Sequence, residues 1–110
     1  WRFAAREEIG RGCDVVKISA GPGHGSSPAV DFMYLTPAEL DAVVETAHAR
    51  GKLVRAHCPT RSAILACARA GVDIIDHADR MDAECIDAIL ENDCTVLPSM
   101  LWSVRFLELV

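Results

Sequence analysis

Two histidines, His57 and His77, each close an apolar run, "LVRAH" and "VDIIDH", about 20 residues apart. Neutral imidazole is a common ligand for transition metals. A lone histidine at a strand end is ordinarily a hydrogen-bonded structural residue. Two at equivalent positions of successive units point instead to a metal pair. A catalytic metal site takes three protein ligands and keeps a position open for water. The metal brings that water's pKa toward about 7, so hydroxide is available at neutral pH. Lys17 is the third candidate. It interrupts the apolar run "VVKIS", where a charge requires a partner.

The elements around these residues can be read from local signals. Residues 1–11 read as a helix with Phe3, Ala4 and Trp1 on one side, ended at Gly12. "DVVKIS" (14–19) is a β-branched run and reads as a strand. Residues 20–34, rich in Gly, Pro and Ser, form a long loop that holds His24, Phe32 and Tyr34. Thr36, Pro37 and Glu39 spell a capping box with proline at the first helical position. Leu40, Val43, Val44 and Ala47 then make one apolar stripe that Gly51 ends. "KLVRAHC" (52–58) is a strand. Thr60 caps a helix through Ala70, with Ala63, Ile64, Cys67 and Ala68 as its buried face. "VDIIDH" (72–77) is a strand. Asp82 caps a helix whose stripe is Cys85, Ile86, Ile89 and Leu90. "CTVLPS" (94–99) is a fourth strand, and "MLWSVRFLELV" opens a further helix or loop.

Strands alternating with amphipathic helices imply a parallel sheet, and continuous apolar strands imply burial on both faces. Two α/β architectures satisfy this: an open doubly wound sheet, or part of a (β/α)8 barrel. No glycine-rich phosphate motif supports the first. Four units in 110 residues are about half of a barrel of roughly 250 residues. In both, chemistry sits at the carboxyl ends of the strands, where His57 and His77 lie. Alternation along a strand puts Leu53, Arg55 and His57 on one face and Asp73, Ile75 and His77 on one face. Lys17 shares its face with Val15 and Ser19. An inward Arg55 needs a carboxylate, and Asp73 is the candidate.

Composition narrows the partners. A net charge of −5 argues against nucleic acid, which needs a basic footprint. No apolar run approaches the roughly 18 residues of a membrane span, and "WRFAAREEIGRG" lacks the apolar core of a signal peptide. The first residue is Trp1, so the expectation is that translation starts upstream. The five cysteines are odd in number and form no CxxC, which fits reduced thiols in a cytoplasmic protein. Cys58, beside His57, alternates away from it and reads as a packing residue.

The segments "GCDVVKISAGPG" (12–23), "LTPAELDAVVETAHARGKLVRAHC" (35–58) and "AILACARAGVDIIDHADRMDAECIDAILENDCTVLPS" (63–99) resemble the metal-dependent amidohydrolase superfamily, of the imidazolonepropionase-like and Xaa-Pro dipeptidase-like types. The resemblance implies a partial TIM barrel, strands 4 to 7 of a (β/α)8 domain. It implies that His57 and His77 are the metal ligands of strands 5 and 6. Lys17 resembles the strand-4 lysine that is carboxylated and bridges two metals in binuclear members. One or two divalent ions, zinc expected, are thereby implied. The family's strand-1 HxH motif and its catalytic strand-8 aspartate have no counterpart here. The chain is therefore expected to be an internal fragment, inactive alone, with no catalytic residue of its own. "IDHAD" departs from the family around His77, where many members carry a glutamate and a glycine.

The function so implied is metal-dependent hydrolysis of a carbon–nitrogen bond, amide, cyclic amide or dipeptide, in a small-molecule substrate. His24 and Tyr34 are the candidate substrate contacts. His48, in the last turn of its helix, reads as structural. Asp79, Asp82, Glu84 and Asp87 read most simply as an exposed, N-terminally acidic helix, with Asp79 close enough to His77 that the mouth is its alternative place. Alternatives are hydrolysis of phosphotriesters or lactones, or ring deamination, since loops choose the substrate. A non-catalytic half-barrel module is a third, its unpaired sheet edges inviting a homo-oligomer.

Overall fold

The computed structural model describes residues 1–23 and 31–109. Four strands, β1 (Val15–Ser19), β2 (Leu53–Cys58), β3 (Ile74–His77) and β4 (Thr95–Leu97), alternate with helices α1 (Arg2–Gly10), α2 (Pro37–His48), α3 (Arg61–Arg69), α4 (Ala83–Glu91) and α5 (Met100–Leu109). The strands form one parallel sheet in the order β1-β2-β3-β4. The order never reverses, so the sheet has no switch point of the doubly wound kind. It winds as a segment of a β/α barrel does.

Local chemistry places the helices. Thr36 accepts from the Glu39 backbone N–H at 3.3 Å, and Glu39 accepts from the Thr36 N–H at 2.8 Å, which completes the capping box. Thr60 and Asp82 cap α3 and α4 by accepting from Ala63 and Cys85 N–H groups. The stripes of α2 (Leu40, Val43, Val44, Ala47) and α3 (Ala63, Ile64, Cys67, Ala68) are all buried. They pack on Val16, Ile18, Val54, Ala56, Cys58 and Ile75 of the sheet. Full burial of a side chain such as Ile64 or Ile75 stabilises by about 1.5–3 kcal/mol.

Four expectations are corrected. The strands are not buried on both faces: β1 and β2 alternate between buried and exposed, because the helices cover one face only. Strand β3 starts two residues late. Asp73 lies before it, and its carboxylate accepts from the Val54 N–H at 2.7 Å. In α4, Cys85, Ala88 and Ile89 are buried, whereas Ile86 and Leu90 are exposed, since α4 packs on α3 and turns those two away from it. In α1 it is Ala5 that is buried. Trp1, Phe3 and Ala4 are exposed.

Candidate functional site

Register decides which side chains share the open face. Lys17 pairs with Arg55, Ser19 with His57, and His57 with Asp76. Partners across a parallel ladder point the same way, so Lys17, Ser19, Arg55, His57 and Asp76 stand together. Ile75 lies on the helix-covered face and is fully buried. The expected inward set of Asp73, Ile75 and His77 is therefore wrong by one residue. By register His77 belongs with Cys58, which points into the core.

The backbone corrects this at the last residue. His77 has φ of 72° and Ala78 of 54°, both in the left-handed region. The Ala78 N–H donates to the Asp76 carbonyl at 2.9 Å, so His77 is the centre of a γ-turn. With positive φ this is the rarer, strained form. The bend swings the imidazole back toward the open face. Its ring meets that of His57 edge to face, centroids 4.7 Å apart.

Both rings are oriented by partners. His57 Nε2 is 2.9 Å from the Pro22 carbonyl oxygen. A carbonyl only accepts, so Nε2 carries the proton and Nδ1 the lone pair. The carbonyl is close because Gly21 packs against the start of α3. A Cβ on Gly21 would come within 3.3 Å of Pro59 and 3.4 Å of Ala63. His77 Nδ1 is 2.5 Å from the Ser99 hydroxyl oxygen, just beyond β4.

Below the rings lies an ionic cluster. Arg55 Nε donates to both Asp76 oxygens, at 2.8 and 2.9 Å. Lys17 Nζ donates to the same carboxylate. The interior acid expected for Arg55 is thus Asp76 and not Asp73. Asp73 instead accepts from His48 Nε2 at 2.8 Å, tying the end of α2 to the lead-in of β3. Burial pushes the Asp76 carboxyl up, but the hydrogen bonds from Arg55 and Lys17 outweigh it and hold its pKa below the usual carboxylate range.

No protein-family model matches the chain. It is similar to ochratoxinase from Aspergillus niger, 32% identical over 92 residues, covering 83% of the chain and 19% of that protein. The crystal structure of A. niger ochratoxinase superposes with a TM-score of 0.90 at 28% identity, over 97% of this chain and 25% of that one. A Xaa-Pro dipeptidase with methionine bound in its active site gives 0.81 at 32% identity, and an amidohydrolase gives 0.80 at 36%; each match spans 88% of this chain and 24% of the other. Over these spans the chain has the sequence and fold of part of an amidohydrolase-superfamily domain. It spans about a fifth of the length of the curated ochratoxinase it matches.

On this amidohydrolase chain the other candidates fall as follows. His24 lies outside the described residues. Tyr34 is exposed and packs its ring on Phe32, 5.6 Å between centroids. Its N–H donates to Ala20 O, and the Ala20 N–H donates to His57 O, so the return of the loop runs beside the histidine strand. Asp31 anchors that return by accepting from the Ser62 N–H and hydroxyl at 2.9 and 2.8 Å. Those bonds, the backbone one first, lower its pKa. Asp79 is exposed. With His77, Met81, Val96, Ser99 and Met100 it lines a cavity of about 290 Å³. Cys58 is fully buried against Cys67, and that contact and burial push its thiol pKa far up.

Sequence reasoning missed Asp76 and Ser99. The signal for Asp76 was present: two inward cations at one level of adjacent strands require an acid on the next. Nothing local marks Ser99, whose partner is 22 residues away.

Proposed function

We propose that the full protein carrying this chain is a metal-dependent hydrolase of carbon–nitrogen amide bonds in a small-molecule substrate, and that this chain is an internal part of its catalytic barrel. The observation that carries the reading is the meeting of His57 and His77, their rings 4.7 Å apart, at the carboxyl ends of adjacent strands. Two imidazoles are donors that a divalent transition metal such as zinc accepts; among the described residues no group of three His, Cys, Asp or Glu completes a site, so further ligands would come from Lys17 as a carbamate and from the rest of the barrel. His57 offers Nδ1, and His77 offers Nε2 when Nδ1–H donates to Ser99. Neutral imidazoles fixed by a hydrogen bond at the other ring nitrogen are the usual ligand form. When bound, one or two such ions would supply an activated water and polarise the substrate carbonyl.

Lys17 in its present form is an ammonium and cannot ligate. Reaction of its neutral amine with CO2, with loss of one proton, would give a carbamate with an anionic oxygen. Its place on the open face of β1 supports this role. So does Arg55, whose two contacts keep Asp76 satisfied once the ammonium is gone. Tyr34 and His24 remain the proposed substrate contacts on the loop. The five free thiols favour a reducing compartment such as the cytoplasm. Among the described residues no helix is long and apolar enough to cross a membrane.

The test uses the full-length enzyme. His57→Ala and His77→Ala should lose amide hydrolysis and bound metal together. Full metal occupancy in both variants would overturn the reading.

A further inference from the structure

We propose that Ser99 is the positioning residue for His77, a role that rests on the metal-ligand reading above. Two observations lead to it. First, His77 is the last residue of its strand, paired with Cys58 of β2, and it sits at the centre of a positive-φ γ-turn. That bend sets where the side chain leaves the backbone but not how the ring is rotated, because the imidazole torsion is broad and roughly two-fold. Second, the Ser99 hydroxyl meets Nδ1 at 2.5 Å. Ser99 is two residues past the end of β4, so the contact spans from one strand end to the next. A hydroxyl can accept the Nδ1 proton, and in that tautomer the lone pair is on Nε2. Rotation of the ring would break the bond. Ser99 therefore fixes the direction of the His77 ring and accommodates the tautomer with Nε2 toward a metal.

The experiment measures zinc affinity of the full-length protein by competition with a chromophoric chelator, beside thermal unfolding of the metal-free form. Ser99→Ala should bind zinc about 10–100-fold more weakly while the metal-free melting curve stays in place. Ser99→Thr, which keeps the hydroxyl, should recover most of the affinity. Should Ser99→Ala fail to fold, Ser99→Gly, which also lacks the hydroxyl and adds no metal ligand, should show the same weakening. Zinc binding by Ser99→Ala at wild-type strength overturns this inference alone. A wild-type protein that binds no zinc overturns the metal reading and this inference with it.

Discussion

Arg55 and Asp76 make a two-point contact across adjacent strands, Nε lying 2.8 Å from one carboxylate oxygen and 2.9 Å from the other. The carboxylate is almost fully buried, and the arginine is partly exposed. Arg55→Met should therefore leave a buried acid with Lys17 as its remaining cation. We expect a loss of about 1–3 kcal/mol in the full protein. Denaturant unfolding checks this, and an unchanged midpoint would show that the contact carries no stability.

The left-handed backbone at His77 gives a second prediction. An alanine at φ of 72° keeps the strain, and a glycine does not. His77→Gly should be more stable than His77→Ala by about 1 kcal/mol, the reverse of the usual order within a strand. Both should lose metal binding equally, which separates backbone strain from ligand loss in one pair of melting curves.

Asp82 links the α4 cap to Arg61. The hydrogen bond from Arg61, then that from the Cys85 N–H, lowers its pKa from 3.8 to about 2. The folded value is below the unfolded one. Its contribution to stability is therefore present above about pH 4 and is lost as pH falls through about 2. Wild type should exceed Asp82→Ala in stability by a margin that narrows steadily between those pH values. A margin independent of pH across that range would refute the assignment.

Cys58, Cys67 and Cys85 are fully buried, and the Cys58 and Cys85 thiols are held protonated. Thiolate is the reactive form. In the native full-length protein these three should resist alkylation for as long as the fold persists and label fully in denaturant. Mass spectrometry of digested samples reads each site separately.

The helices and their caps were legible because their signals are local. Thr36 and Glu39 are three residues apart, and the α2 and α3 stripes complete themselves within one element. Strand β3 was not legible to the residue. In "VDIIDH" the apolar positions do not alternate, so both parities fit. What fixes the parity is register against β2, a non-local fact. The error put Asp73 beside Arg55 and hid Asp76. It also assigned His77 to the open face by an alternation that the strand does not follow. The γ-turn delivers the ring there by another route, with no residue type in "DHA" that announces it. Leu90 and Ile86 mislead for a related reason: a stripe shows what can be buried, and only the packing of α4 on α3 shows which side is.

The two imidazoles are also anchored unequally. His57 stands within a strand paired on both sides, with Ala20 donating to its carbonyl. His77 is the last residue of its strand, at a bend, and its ring meets the Ser99 hydroxyl. Strand termini open at lower free energy than paired interiors. The pair is thus a vice with one fixed jaw and one releasable jaw. If the proposed ion binds between them, it would leave by the opening of the His77 side, and its residence time would report how rarely that side opens and not the stability of the sheet.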